Sequence, residues 1–132
     1  MYMDVSYDKS YALAVNIVRC CQRLADQKRE FVLSKQLLRS GTSIAANLAE
    51  GNAAISDAEL SSKISISYKE SQETKYWLNL LRDAGYLEAS EAQALFKQED
   101  EVSRILFATI RTLRLKNNPA TRQESTDEKP NR

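Results

Sequence analysis

Six polar residues stand out by type and spacing. Arg39, Ser43, Asn47 and Glu50 are separated by four, four and three positions. On a helix they fall in one line along a single face. Glu70 and Glu73, three apart, share a face of a later helix, with Lys69 and Lys75 close by. Two chemistries could use this set. Glu50, Glu70 and Glu73 could converge on Mg²⁺, as in a carboxylate metal-dependent hydrolase. Alternatively, Arg39 could reach a helix-three carboxylate and form a polar network that fixes the register of two helices. Di-metal centres in helical bundles draw a Glu-x-x-His pair from each of two helices, and this chain has no histidine. The same absence removes the commonest general base and both the Ser–His and Cys–His nucleophile pairs. The structural network is therefore the favoured reading, with no catalytic residue, no metal and no cofactor expected.

A second constellation is basic. Lys97, Arg104 and Arg111 recur at heptad spacing, with Arg114 and Lys116 following. Such a stripe could track phosphates of RNA or DNA, but Asp100 and Glu101 interrupt it, and an ordinary solvated face is the favoured reading. Glu59–Lys63 and Lys69–Glu73 are spaced as i,i+4 ion pairs. Cys20 and Cys21 are adjacent, so on a helix they point about 100° apart and are poorly placed to bridge each other. Two small buried thiols in a reduced cytoplasm are expected.

Four helices must position these residues. The first is predicted over about 6–28, where Leu13, Ile17, Cys20 and Leu24 form one apolar stripe. The second is predicted over about 32–52, with Leu37, Ile44 and Leu48 inward and Gly41 in its interior. An interior glycine costs roughly 1 kcal/mol relative to alanine, so close approach of a neighbouring helix is expected there. Ser56-Asp57-Ala58-Glu59 reads as a capping box opening the third helix, with Ile55 and Leu60 as its staple. Gly85 is the stop. The inward stripe between them is Leu60, Ile64, Ser67, Ser71, Thr74, Leu78 and Leu81. Ser90 and Gln93 suggest a second capping box and the start of the fourth helix, whose inward stripe is Val102, Leu106, Thr109 and Leu113. Phe96, Phe107 and Ile110 widen its apolar arc, and Tyr68, Tyr76 and Trp77 cluster on the third helix. That is more apolar surface than one bundle seam needs, which predicts a homo-oligomer.

The connections are short, so sequential helices should be antiparallel neighbours. The fold class is all-α: an up-down-up-down antiparallel four-helix bundle over residues 1–116, with a disordered tail over 117–132. Composition agrees. Of 132 residues only three are glycine and two proline, too few for a turn-rich β fold. Residues 1–115 carry fifteen Lys/Arg against fifteen Asp/Glu, and the remainder four against three, giving the net +1. A dedicated nucleic-acid binder usually carries a strongly basic domain. No apolar leader and no membrane-length apolar run is visible, so a cytoplasmic location is expected.

The segment Arg39-Ser-Gly-Thr-Ser-Ile-Ala-Ala-Asn-Leu-Ala-Glu-Gly51 closely resembles the signature of a bacterial four-helix-bundle family encoded in intervening sequences of 23S rRNA genes. Lys69-Glu-Ser-Gln-Glu-Thr-Lys-Tyr-Trp-Leu-Asn-Leu-Leu81 and Gly85-Tyr86-Leu87 are similar to it too, and the resemblance spans roughly residues 7–115. Accessory proteins of diversity-generating retroelements are similar in fold. The resemblance implies a homopentameric assembly without catalysis. In the retroelement relatives a basic surface engages nucleic acid and the reverse transcriptase, so the resemblance also offers the alternative of a reverse-transcriptase accessory protein. It marks Arg39, Ser43, Asn47, Glu50, Glu70 and Glu73 as motif residues of structural role. The charge-neutral helical region and the proline-free first connector are departures from these relatives.

Overall fold

The computed structural model describes residues 2–117. They form α1 (Tyr2–Lys28), α2 (Leu33–Asn52), α3 (Asp57–Asp83) and α4 (Ala89–Asn117). Each helix packs on its neighbours in sequence, and α4 closes back onto α1. Side-chain pairs show the directions. Arg23 meets Glu91, Asn16 meets Gln98 and Lys9 meets Glu101, so α1 and α4 run in opposite senses. Ser40 meets Thr74, the Ile44 carbonyl meets Ser67, and Glu50 meets Lys63, so α2 and α3 do too. The bundle is up-down-up-down, as expected. The fourth helix extends to Asn117, one residue past the anticipated domain end. The expected tail beyond it lies outside the described residues.

The predicted stripes form the core. Leu13, Ile17, Cys20 and Leu24 of α1, Leu37, Ile44 and Leu48 of α2, and Ile64, Leu78 and Leu81 of α3 are all buried, joined by Val102 and Leu106 of α4. Leu60 and Leu113 are only partly buried against this cluster. Gly41 answers to Ile17 of α1: a Cβ there would lie 2.5 Å from Ile17 Cδ1 and 3.0 Å from its Cγ2. Close helix approach is thus the reason for the interior glycine.

The helix ends correct several details. Ser56 caps α3 by accepting the Glu59 N–H at 3.1 Å. The Glu59 carboxylate returns to the Ile55 N–H (3.4 Å), not to Ser56 as a strict capping box would have it. Ile55 is 94% exposed, so the predicted staple with Leu60 is not made. At the other end, Gly85 adopts φ +88°. Its N–H donates to the Arg82 carbonyl (3.0 Å) and the Tyr86 N–H to Leu81 (2.9 Å), a Schellman closure. The helix α4 begins at Ala89, not at a Ser90 cap. The Ala92 N–H already bonds the Glu88 carbonyl at 2.9 Å, which draws Ser90 into the first turn.

The α1–α2 corner holds a cap that local sequence patterns do not announce. Arg29 takes a positive φ of 53°, turning the chain so that Glu30 lies under the start of α2. One carboxylate oxygen accepts the N–H of Val32 (3.1 Å) and Leu33 (2.8 Å), and the other accepts Ser34 (2.8 Å). The Ser34 hydroxyl donates back to the Glu30 carbonyl at 2.9 Å. Burial alone would raise the Glu30 pKa. The N–H groups of Leu33 and Ser34, the Ser34 hydroxyl and the Val32 N–H outweigh it and hold the carboxyl below its usual range.

Candidate functional site

The helix-two motif does not act as one line. Ser43 donates to the Arg39 carbonyl (2.6 Å) and Asn47 to the Ser43 carbonyl (2.8 Å), both within α2. Only the ends of the line cross to α3. Arg39 pairs with Glu73 and lies 3.6 Å from Glu70, while Glu50 pairs with Lys63 at 2.6 Å. Glu73 also accepts the Trp77 indole N–H at 3.1 Å. The expected cross-bundle Arg39 pairing therefore forms, though at a largely exposed edge, with Arg39 51% and Glu50 60% exposed. The i,i+4 pairs read from spacing do not form: Glu73 is taken by Arg39 and Trp77, and Lys63 by Glu50.

This geometry separates Glu50 from Glu70 and Glu73, each end tied to its own cation. The convergence that a carboxylate metal centre requires is absent from the motif. Among the described residues no group of three or more His, Cys, Asp or Glu is arranged to hold a metal ion.

Behind this edge the α2–α3 seam is lined with hydroxyls. Ser67 donates to the Ile44 carbonyl across the seam at 2.9 Å, and Thr74 lies 3.1 Å from Ser40 while donating to the Glu70 carbonyl at 2.8 Å. Ser40, Ser67 and Thr74 are fully buried. These small side chains let two backbones approach while every hydroxyl keeps an acceptor.

The α3–α4 seam differs. Glu99 is fully buried in it. Ser103 donates to Glu99 Oε1 and lies 2.9 Å from Ser71 Oγ, and the Gln72 amide donates to Ser103 at 3.2 Å. Glu99 Oε2 has no hydrogen bond, its nearest cation being Lys75 Nζ at 3.9 Å. Burial pushes the Glu99 pKa up; the Ser103 hydroxyl and Lys75 pull it back in part, and Asp100 adds to the rise. The sequence held a signal for it. Ala92, Leu95, Glu99, Val102, Leu106 and Thr109 follow a 3-4-3-4-3 spacing, so extending the stripe back from Val102 places Glu99 inward.

The basic residues of α4 are exposed, as a solvated face requires: Lys97, Arg104, Arg111, Arg114 and Lys116 all face out. Arg104 pairs with Asp100 at 2.8 Å. Phe107, on the same side, is 49% exposed and its ring lies 5.8 Å from that of Tyr68. The rest of the predicted apolar excess is partly absorbed. Ile110 is buried, Phe96 packs beneath the Arg82 guanidinium at 5.2 Å, and Trp77 is half-buried, leaving Tyr76 57% exposed.

A longer apolar surface lies elsewhere, on the outer α1–α2 groove. Two contiguous hollows of about 370 and 360 Å³ meet at Val18. Tyr7, Tyr11, Ala14 and Ala46 line one, and Cys21, Ala25, Phe31 and Leu38 the other. Cys20 and Cys21 are both free thiols. Burial pushes Cys20 up to about 12, with Glu91 and Cys21 adding, and Cys21 up to about 11, with Glu30 adding. Burial thus favours the protonated thiol over the nucleophilic thiolate at both. No helix among the described residues is long and apolar enough to cross a membrane.

These features define an antiparallel four-helix bundle whose motif residues tie α2 to α3. The chain belongs to the 23S rRNA-intervening sequence protein family, whose model matches residues 4–108. It is similar to the crystal structure of a protein of unknown function from the S23 ribosomal protein family of Bacteroides thetaiotaomicron. The two share 40% identity and a TM-score of 0.82, over 84% of this chain and 99% of that one. No curated protein matches this chain.

Proposed function

We propose that this chain is a non-enzymatic, homo-oligomeric bundle module that serves as a binding or scaffold unit, with RNA or DNA as its partner. The observation that supports the assembly is the apolar α1–α2 groove, where Tyr11 and Phe31 are each 57% exposed and Leu38 36%. A monomer rarely leaves so long an apolar strip open to water. Residues 118–132 contain no large apolar side chain that could cover it. A second copy of the chain can. A ring of more than two copies joins unlike faces, the groove of one protomer receiving a different face of the next, and a pentamer is the assembly implied by the family resemblance. Light scattering after gel filtration of the full chain at micromolar concentration tests this. Several copies per particle are expected, and Tyr11→Glu is expected to dissociate them while leaving the helical circular dichroism unchanged. A monodisperse monomer for the unmodified protein would overturn the proposal.

A further inference from the structure

The α3–α4 face carries a second feature, separate from the α1–α2 groove. Between the two helices runs a groove of about 280 Å³, bordered by Tyr68, Gln72, Lys75, Ser103, Arg104 and Phe107, with Asp100 at its edge. That is slightly smaller than the ~300–1,000 Å³ typical of sites for drug-sized ligands, and suits a single planar ring. One side of it is the tilted pair Tyr68–Phe107, whose ring centroids lie 5.8 Å apart. Its polar groups are the Gln72 amide, the Ser103 hydroxyl, Arg104 paired with the Asp100 carboxylate, and Lys75, 3.9 Å from Glu99.

Charge extends the groove in one direction. From Arg104 to Asn117, α4 carries Arg104, Arg111, Arg114 and Lys116 and no acidic residue. The acids that precede them are engaged, Asp100 with Arg104 and Glu101 with Lys9. Arg111 and Arg114 have no ion-pair partner among the described residues and are exposed. Positions 104, 107, 111 and 114 are three and four apart, so Arg, Phe, Arg and Arg lie along one side of the helix. From first to last they span about 15 Å.

We infer that this face binds single-stranded nucleic acid, a base stacking against Phe107 and Tyr68 while Arg111 and Arg114 hold the flanking phosphates. The inference deepens the reading of the chain as a nucleic-acid-associated module by naming the form of the partner. The charge complements any polyanion; the aromatic pair chooses among them. In a duplex the base faces are covered by their neighbours, and an exposed ring gains nothing from them. In a single strand every base offers a face, and aromatic stacking is tolerant of sequence. A second copy of the chain fits this face less well, because the unpaired arginines would need acids that the copy's α1–α2 groove does not line up for them.

The test uses the full chain and a short fluorescein-labelled oligouridylate, single-stranded or annealed to oligoadenylate, followed by anisotropy at two salt concentrations. The single strand is expected to bind more tightly than the duplex. Phe107→Ala should weaken single-strand binding about tenfold without altering its salt dependence, and Phe107→Trp should restore it. Replacing both Arg111 and Arg114 by alanine should reduce the slope of log K against log salt by roughly 1.4, about 0.7 for each phosphate that is no longer neutralised. Equal binding of duplex and single strand, unmoved by Phe107→Ala, would overturn the stacking, as would no binding at all. Light scattering on the same samples separates the readings. An assembled protein that binds no strand removes this inference and keeps the oligomer; a monomer that binds the strand does the reverse. If Phe107→Ala dissociates the assembly, the face belongs to a second copy and the inference fails.

Discussion

Two carboxylates are withdrawn from water in this bundle, and their surroundings are opposite. Glu30, at the α1–α2 corner, faces three N–H groups at the start of a helix. Those donors would otherwise be orphans of the first turn, so charge and cap satisfy each other. Glu99, in the middle of the α3–α4 seam, receives one hydroxyl, and its second oxygen has no hydrogen-bond partner. One carboxyl is held below its ordinary range and the other above it. Burial is common to both; what decides the direction is whether backbone donors are aimed at the charge.

The largest expected effect comes from removing the satisfied charge. Glu30→Ala leaves the first N–H groups of α2 without their acceptor and should cost roughly 2–3 kcal/mol at neutral pH, in line with charge-assisted bonds; urea unfolding measures it. A group whose native pKa is lowered stabilises the fold above its unfolded pKa, near 4.3, and that stabilisation disappears as pH falls through the native value. The variant and the parent should therefore converge in acid. A loss that persists undiminished at low pH would break the comparison on this side.

Next comes the unsatisfied charge, with the opposite sign. Above the unfolded pKa the unfolded chain has released a proton that native Glu99 still holds, so stability falls as pH rises toward the raised native pKa. Glu99→Gln removes this penalty and should gain about 1–2 kcal/mol at pH 7, shrinking toward pH 4. A destabilised Gln variant at pH 7 would mean that the carboxylate is better served than its geometry indicates. The smallest effect belongs to Lys75. Its side chain is 37% exposed and 3.9 Å from Glu99, so Lys75→Met should cost under about 1 kcal/mol after solvent screening. In the Glu99→Gln background it should cost nothing, and that difference is the coupling between the two.

The legible parts of this molecule are those with a local rule. Ser56 and Gly85 mark helix ends because a cap hydroxyl and a positive φ are decided within a few residues. The apolar stripes follow from helical period, and Arg39 could be paired with a helix-three carboxylate because α2 and α3 must be antiparallel. Glu30 was not legible. It closes a run of five charged or polar residues, and its role appears only once Arg29 turns the chain back beneath α2. Glu99 heads a run of three acids, of which helical phase places the first inward, while composition alone suggests a wetted surface. At the edge of the motif the i,i+4 spacing misleads for a similar reason. Glu73 and Lys63 each had a partner four residues away on their own helix, yet cations and carboxylates from the facing helix took them.

Gly41 and Ile17 carry a consequence for how such a sequence can change. The atom that blocks a methyl at position 41 is the terminal carbon of the isoleucine, 2.5 Å from where that methyl would stand. Valine at 17 lacks this carbon. The two positions are thus coupled across two helices: shortening the isoleucine removes the nearest clash at position 41, while the branch carbon 3.0 Å away still has to give. A residue inside the most recognisable stretch of the chain is held by an aliphatic neighbour twenty-four positions earlier, so part of the signature records the spacing of α1 and α2 and carries no information about a ligand.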